Sequence, residues 1–205
     1  MRYPKLRELV EAIKAVIKGP YTSSFPYKPH KPFSAFRGRT EFHEKDCVGC
    51  TACAQVCPSG AITFRDEPAA GKAKRVLTVR WDLCIFCGNC QANCLTAKGI
   101  MLSNDFDIST TGKRVELRQT IEKELVLCEC CGETIAPYDQ IVWTANKLGP
   151  LVFSNASLML FYLGRMSLAE TDSGMQIPRD KKELKRNDRI KILCPKCRRE
   201  AVIRS

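Results

Sequence analysis

The sequence predicts an α+β protein in which metal-binding cysteines, together with a small apolar core, organise the fold. Three observations support this class: two four-cysteine runs in the first half of the chain, short strand-like segments between the runs, and two separate cysteine pairs in the second half. The chain of 205 residues contains 13 cysteines. Their spacings are those of metal ligands, which must remain free thiolates, so a reducing compartment is expected.

The two cysteine runs have the same internal spacing. The first contains Cys47, Cys50, Cys53 and Cys57, and the second contains Cys84, Cys87, Cys90 and Cys94. Bacterial ferredoxins use this spacing to hold two [4Fe–4S] clusters, and the fourth cysteine of each run reaches across to the other cluster. The predicted ligand sets are therefore Cys47, Cys50, Cys53 and Cys94 for cluster 1, and Cys84, Cys87, Cys90 and Cys57 for cluster 2. Zinc is disfavoured here because zinc sites prefer two separated pairs.

The segments beside the runs are expected to enclose the clusters. Two short strands, 61–65 and 76–81, are predicted with a turn at 67–72 between them. Gly49 and Gly88, inside the two ligand loops, would let backbone amides approach the cluster sulfurs. A dry apolar shell, which helps to set cluster potentials, would come from Ile62, Phe64, Val79, Trp81, Ile85, Phe86, Ile100 and Leu102.

The N-terminal segment predicts an amphipathic helix over 1–18 and an extended arm over 20–40. An apolar stripe recurs at helical spacing through Leu6, Leu9, Val10, Ile13, Val16 and Ile17. Gly19 and Pro20 would end the helix. The stripe would pack on a neighbouring subunit or lie in a membrane interface, and both alternatives remain open. Four prolines and five aromatic residues in the arm predict that it docks on a partner.

A third metal site is predicted from the two cysteine pairs of the second half. They supply Cys128, Cys131, Cys194 and Cys197, and Cys130 is left as a spare thiol. Four thiolates suit zinc in a zinc-ribbon-like site, or a single iron in a rubredoxin-like site. The insertion between the pairs contains apolar stretches at 141–143, 151–153 and 158–163. The last of these predicts a buried or partner-facing helix.

The predicted organisation has four parts. Residues 1–44 form the helix and the docking arm, and 45–106 form a bacterial-type two-[4Fe–4S] ferredoxin domain. Residues 107–126 form a connector, which is expected to have helical character over 113–127, where charged and apolar residues mix without a clean stripe. Residues 127–205 form the small four-cysteine domain with its helical insertion.

Composition narrows the classes of function. No stretch approaches the roughly 20 apolar residues that cross a bilayer, and charges interrupt the apolar residues at the N-terminus. A cytoplasmic location is therefore expected. The formal net charge is +11, which cluster thiolates would offset in part. A solvated surface is favoured over nucleic-acid binding, because no basic helix with interleaved aromatic residues is found. No acid–base pair or nucleophile is visible, so the isolated chain is not expected to be an enzyme.

Several motifs carry a resemblance to known families. Phe36-Arg37-Gly38-Arg39 precedes the first run, and Cys84-Ile85-Phe86-Cys87-Gly88 opens the second. With the N-terminal helix and its proline-rich arm, they resemble the ferredoxin-type subunit of respiratory complex I over about residues 1–105. Tyr21-Thr22-Ser23-Ser24-Phe25-Pro26 and the cysteine-rich C-terminal part resemble the corresponding subunit of formate hydrogenlyase and related energy-converting, membrane-bound hydrogenases.

The resemblance implies an electron-transfer subunit placed peripherally on the inner face of the cell membrane. The implied partners are a hydrogenase large subunit, a small cluster-bearing subunit and a membrane-arm subunit that the N-terminal helix contacts. Ferredoxin or formate dehydrogenase is the implied electron donor. Two alternatives are a free polyferredoxin and an iron–sulfur or zinc-ribbon protein that binds nucleic acid. The helix and the arm disfavour a free carrier, because a diffusing protein needs neither.

Overall fold

The computed structural model describes residues 5–19, 22, 24–68, 73–166, 168 and 191–203. Contacts divide the chain into two compact units, Met1–Phe36 and Arg37–Ser205. The finer division into four domains that the sequence suggests remains a prediction.

The described part of the first unit contains the predicted helix, α1, over Leu6–Lys18. Glu8 in its first turn accepts a hydrogen bond from the backbone N–H of Lys5, and Gly19 ends it with a φ of 80°. Every residue of the predicted apolar stripe is exposed, from 47 % at Val10 to 85 % at Val16. The predicted helix also includes residues 1–4, and Pro20 is predicted to help end it. These residues lie outside the described residues. Residues 24–36 of the arm contain no helix or strand.

The described part of the second unit contains two antiparallel sheets. The smaller sheet pairs β1 (Thr40–Phe42) with β4 (Ile100–Leu102). The larger sheet has the order β2-β3-β5-β6, and its strands are Ile62–Glu67, Lys74–Arg80, Arg118–Leu127 and Thr134–Pro137. The strands predicted at 61–65 and 76–81 are thus confirmed as β2 and β3. Residues 69–72 of the predicted turn lie outside the described residues.

Both four-cysteine runs follow the same backbone path. A short helix follows the second cysteine of each run, α2 (Ala52–Gln55) in the first and α3 (Asn89–Ala92) in the second. Left-handed backbone conformations recur at positions 37 residues apart: Gly49 and Phe86, Thr51 and Gly88, Gly60 and Ala97. This conformation is costly for residues that carry a β-carbon. Its repetition indicates that both loops need the same tight turns to bring their thiols together.

One core cluster of the second unit contains cysteines of both runs. It consists of Phe42, Cys53, Ile62, Leu77, Val79, Cys90, Ile100 and Ile121, with Cys47, Ala54, Cys57, Trp81 and Cys94 packed against it. The prediction of an apolar shell is wrong for Phe64 and Ile85, which are 41 % and 61 % exposed. Phe64 lies at the edge of the core, where the guanidinium group of Arg75 covers its ring at 5.3 Å. Ile85 lies in the second ligand loop.

The prediction of a helical connector over 113–127 is wrong. A short 3-10 turn occupies Arg114–Glu116, and β5 then pairs with β3 over residues 118–124 and with β6 over residues 125–127. Burial alternates in β5, with Ile121, Lys123 and Leu125 inward and the residues between them exposed. Lysine at an inward position breaks the apolar alternation that would otherwise indicate a strand. The connector is therefore a central strand of the larger sheet.

The four-cysteine part continues directly from β5. A tight turn carrying Cys128 and Cys131 joins β5 to β6, and the described residues after β6 contain four helical segments. These are α4 (Tyr138–Leu148), a 3-10 helix (Gly149–Ser154), α5 (Ala156–Arg165) and α6 (Pro195–Ile203). The predicted helical character of the insertion is confirmed where it is described. Among the described residues, no helix combines the length and apolar content needed to span a bilayer.

Candidate metal centres

The predicted ligands of cluster 1 line one cavity. Cys47 and Cys50 come from the loop before α2, Cys53 lies in α2, and Cys94 follows α3. Apolar side chains of Phe42, Leu77 and Ile100 form much of the remaining wall. Because Cys94 belongs to the second run, the fold brings a cysteine of one run to three cysteines of the other.

Burial and mutual repulsion make thiolates unfavourable in this cavity. Burial, followed by the charges of Cys47 and Cys50, raises the pKa of Cys53 to about 12. Burial also raises the pKa of Cys47, and the charges of Cys50 and Cys94 add to the rise. Four thiolates can remain ionised in such surroundings when cations bind them. The donor set therefore fits an iron–sulfur cluster.

The second run presents an equivalent arrangement. Burial is the largest influence on Cys90 and raises its pKa to about 11, and the charges of Cys84 and Cys87 contribute to the rise. The backbone N–H of Phe86 donates to the Sγ atom of Cys84 at 3.4 Å. Cys57 occupies the position in the first run that Cys94 has in the second. The assignment of Cys57 with Cys84, Cys87 and Cys90 to cluster 2 remains a prediction.

The fourth cysteine of each run is surrounded by hydrogen-bond donors. Burial opposes ionisation of Cys57, but N–H groups of Ile62 and neighbouring residues and the hydroxyl of Ser59 outweigh it, so the pKa is lowered. At Cys94, burial is likewise outweighed by the Thr96 hydroxyl and by nearby backbone N–H groups, and the pKa is lowered. Hydrogen bonds to the sulfurs are one means by which a protein sets the potential of a bound cluster.

Three cations beside the ligand loops were not identified from the sequence as parts of the sites. Arg75 donates to the carbonyl oxygen of Gly49 at 2.9 Å, and Arg37 donates to that of Cys87 at 3.0 Å. Lys123 reaches the loop before Cys47, where it donates to the carbonyl oxygen of Glu44. Of these three residues, only Arg37 had a signal in the sequence, because it belongs to the Phe36-Arg37-Gly38-Arg39 motif that precedes the first run.

The four cysteines of the second half come together as predicted. The Sγ atoms of Cys128, Cys131, Cys194 and Cys197 all lie within 4.8 Å of one another. The Sγ atoms of Cys131 and Cys194 are 3.7 Å apart. A tetrahedral zinc site with Zn–S bonds of about 2.3 Å has S–S edges of about 3.8 Å, so this spacing fits a tetrahedral metal.

Local backbone geometry shapes each pair of this site. Gly132, with a φ of 70°, closes the first turn, where its N–H donates to the carbonyl oxygen of Cys128. Cys194 directly precedes α6, and its own N–H donates to the Sγ atom of Cys128 at 3.2 Å. The first pair thus lies in a hairpin turn and the second at the start of a helix. Cys130 is buried beside this group but does not belong to the set of four.

Comparison with known proteins identifies the class of the cluster-binding part. Residues 34–98, which include all eight cysteines of the two runs, match the family model described as 4Fe-4S dicluster domain. This part of the chain is therefore a two-cluster iron–sulfur domain. The structure and this match together support an iron–sulfur protein with an additional four-cysteine site.

Two proteins of known name are similar to this chain in sequence, and they indicate which kinds of complex its relatives belong to. NAD(P)H-quinone oxidoreductase subunit I of Gloeobacter violaceus is 28 % identical over 117 residues, which cover 50 % of this chain and 56 % of that protein. Formate hydrogenlyase subunit 6 of Escherichia coli is 44 % identical over 61 residues, which cover 29 % of this chain and 34 % of that protein. The resemblance drawn from the sequence is confirmed by these relatives. The chain spans about half of the first relative and about a third of the second.

Among solved structures, the chain is similar to one from the membrane-bound sulfane sulfur reductase, an archaeal respiratory membrane complex. The two share 26 % identity with a TM-score of 0.39, over 57 % of this chain and 62 % of the other.

Proposed function

We propose that this protein relays single electrons through two [4Fe–4S] clusters as a peripheral subunit of a membrane-associated oxidoreductase related to complex I. The main support for this proposal is the cavity lined by Cys47, Cys50, Cys53 and Cys94, which lies within the part of the chain that matches the two-cluster family. Each cluster, when bound, accepts and releases one electron. The chain itself holds the clusters, excludes water and supplies hydrogen bonds, and it performs no catalysis alone.

The ligand assignment follows the crossed pattern. Cys47, Cys50, Cys53 and Cys94 would hold cluster 1, while Cys84, Cys87, Cys90 and Cys57 would hold cluster 2. The core residue Leu77 and the sheet partner Ile121 are buried to 0 % and 6 % exposure and keep water from this region. Trp81 fixes the smaller sheet nearby, since its Nε1 atom donates to the carbonyl oxygen of Thr40 at 2.7 Å.

At the four-cysteine site we propose zinc in a structural role. All four sites around the metal would be filled by Cys128, Cys131, Cys194 and Cys197, which is typical of structural zinc and leaves no open position for a substrate. Such a site would join the β5–β6 turn to α6. A single iron in the same sulfur set is the alternative, and it would add a third redox centre.

The host complex is proposed to be an energy-converting hydrogenase or a similar assembly at the inner face of the cell membrane. The relatives include a subunit of formate hydrogenlyase and a subunit of a quinone oxidoreductase. A hydrogenase large subunit, a small cluster-bearing subunit and a membrane-arm subunit would be the neighbours. Ferredoxin or formate dehydrogenase would supply the electrons. The exposed apolar face of α1 would contact the membrane arm.

Metal analysis of the anaerobically purified protein tests the relay. We expect about eight irons and as many acid-labile sulfides per chain, with one zinc, and EPR signals of reduced [4Fe–4S] clusters. About nine irons without zinc would assign iron to the four-cysteine site. A colourless protein without sulfide would overturn the electron-relay function.

The assembly is tested through α1 in the native host. An Ile13→Glu variant places a charge on the apolar face, and a Lys14→Glu variant alters charge at the neighbouring residue off that face. We expect Ile13→Glu to leave the membrane fraction and Lys14→Glu to remain with it, while both keep their iron. Equal retention of both variants would contradict docking through this face.

A further inference from the structure

Lys123 is a buried cation beside the first ligand loop. It lies inward on β5 and is 8 % exposed. Its Nζ atom donates to the carbonyl oxygen of Glu44 at 2.5 Å and to Oδ2 of Asp139 at 2.9 Å. Its Cγ atom is 3.2 Å from the position that a β-carbon on Gly49 would take. The side chain therefore runs along the loop that carries Cys47 and Cys50.

The charge of Lys123 is compensated only in part. Its carboxylate partner, Asp139, is 46 % exposed, so water screens that charge more than it screens the ammonium group. The ammonium group lies beside the loop that leads into the ligands of cluster 1, since its Nζ atom donates to the carbonyl oxygen of Glu44, just before Cys47 in the sequence. A positive charge in surroundings of low dielectric acts strongly on neighbouring charges.

Among the residues that the structure describes, none takes the equivalent place beside the second ligand loop. Each loop has an arginine on a backbone carbonyl, Arg75 on Gly49 and Arg37 on Cys87. Within the described part of the chain, however, Lys123 is the only charged residue that is buried. The two halves of the internal repeat are thus made electrostatically unequal by a residue that lies outside both cysteine runs.

We propose that Lys123 raises the reduction potential of cluster 1 and leaves that of cluster 2 nearly unchanged. This inference rests on the proposed two-cluster function. Reduction adds one negative charge to a cluster, and a fixed cation nearby stabilises the added charge. Lys123 therefore makes cluster 1 a better electron acceptor than it would otherwise be, which biases an electron on the pair towards cluster 1.

The test is a pair of EPR-monitored redox titrations, with dithionite as reductant, on the full cluster-loaded chain. In Lys123→Gln we expect the equilibrium constant for reduction of cluster 1 to fall at least tenfold, or about 59 mV for one electron. Cluster 2 should not shift. The signal of cluster 1 is assigned as the one altered in a Cys50→Ser variant.

Three further variants separate charge from structure. Lys123→Arg keeps the charge and should restore the potential of cluster 1. Lys45→Gln removes an exposed charge closer in sequence to Cys47 and should leave both potentials unchanged. Asp139→Asn removes the opposing carboxylate and should shift cluster 1 in the opposite direction, by a smaller amount.

The outcomes distinguish this inference from the function on which it rests. If the wild-type protein contains no clusters, the proposed electron-relay function is wrong. Two intact clusters in Lys123→Gln with unchanged potentials, or with equal shifts in both, would overturn the role of Lys123. If Lys123→Gln fails to fold, Lys123→Met, which keeps the aliphatic stem without the charge, is titrated instead: a downward shift confined to cluster 1 supports the inference, and no shift overturns it.

Discussion

The backbone of Gly38 lies directly against the backbone of Asp105. The N–H of Gly38 donates to the carbonyl oxygen of Ser103 at 2.9 Å, and the N–H of Arg39 donates to that of Asp105 at 2.7 Å. A β-carbon on Gly38 would lie 2.7 Å from the carbonyl oxygen of Ser103 and 2.8 Å from the carbonyl carbon of Asp105. The glycine thus allows the ladder of β1 and β4 to extend beyond both strands.

A Gly38→Ala variant should separate these two segments. The obstructing atoms belong to the backbone and cannot move aside as a flexible side chain would. We therefore expect a loss of about 3 kcal/mol in stability, which is the upper end of the range for overpacked sites. Gly60→Ala is the matched control, since nothing lies within 4 Å of its β-carbon position. Its left-handed conformation should cost about 1 kcal/mol. Thermal unfolding under argon measures the stability of both variants. Equal losses would contradict the claim that Gly38 is needed because two backbone segments approach closely there.

The crossed ligand pattern makes a separate prediction about individual cysteines. Cys94→Ala should abolish or alter the same EPR signal as Cys50→Ala, and Cys57→Ala should affect the same signal as Cys84→Ala. Cys130→Ala is the control and should retain about eight irons. If Cys94→Ala instead shares its signal with Cys84→Ala, each run holds its own cluster and the crossed assignment is wrong.

The parts that could be predicted from the sequence are those governed by local chemistry. The spacing of the cysteines matches the bacterial ferredoxin pattern, in which the fourth cysteine of each run reaches the other cluster, and so the convergence of Cys94 with the first run could be expected. Strands β2 and β3 were similarly evident from their composition and the turn between them. In each case, a short motif carries most of the required information.

The parts that could not be predicted depend on distant partners. An inward lysine in β5 conflicts with an apolar strand face unless the chain places acceptors such as Glu44 and Asp139 beside it. Their positions are 79 and 16 residues away in the sequence. The exposure of Ile85 similarly depends on which surfaces the rest of the chain covers. Amino-acid type alone does not contain this information.

Arg75 offers a test of the contacts that fix the first ligand loop. Its guanidinium group donates to both carboxylate oxygens of Asp66, at 2.7 and 2.8 Å, and also to the carbonyl oxygen of Gly49. The single ammonium group of a lysine cannot reproduce this two-point contact with the carboxylate. We expect Arg75→Lys to lower the free energy of unfolding by about 1.5–3 kcal/mol.

Arg65→Lys provides the comparison for this substitution on the neighbouring strand. Arg65 pairs with Glu67, but its side chain is 74 % exposed, so the change should be below about 1 kcal/mol. Thermal or denaturant unfolding of the cluster-loaded protein measures both variants. Similar small effects would show that the partly buried pair of Arg75 and Asp66 does not stabilise the loop.

The four-cysteine site predicts a local consequence of metal loss. Cys197→Ala should lose the proposed zinc and release α6 from the β5–β6 turn, because structural zinc contributes directly to folding, by about 10–16 kcal/mol in isolated zinc-finger peptides. Hydrogen exchange should increase over residues 195–203 and in β6. Iron content should remain at about eight per chain, since none of the proposed cluster ligands belongs to this site. Loss of iron together with the proposed zinc would instead show that the centres fold as one unit through β5, which contacts the loop before Cys47 at Lys123 and leads into Cys128.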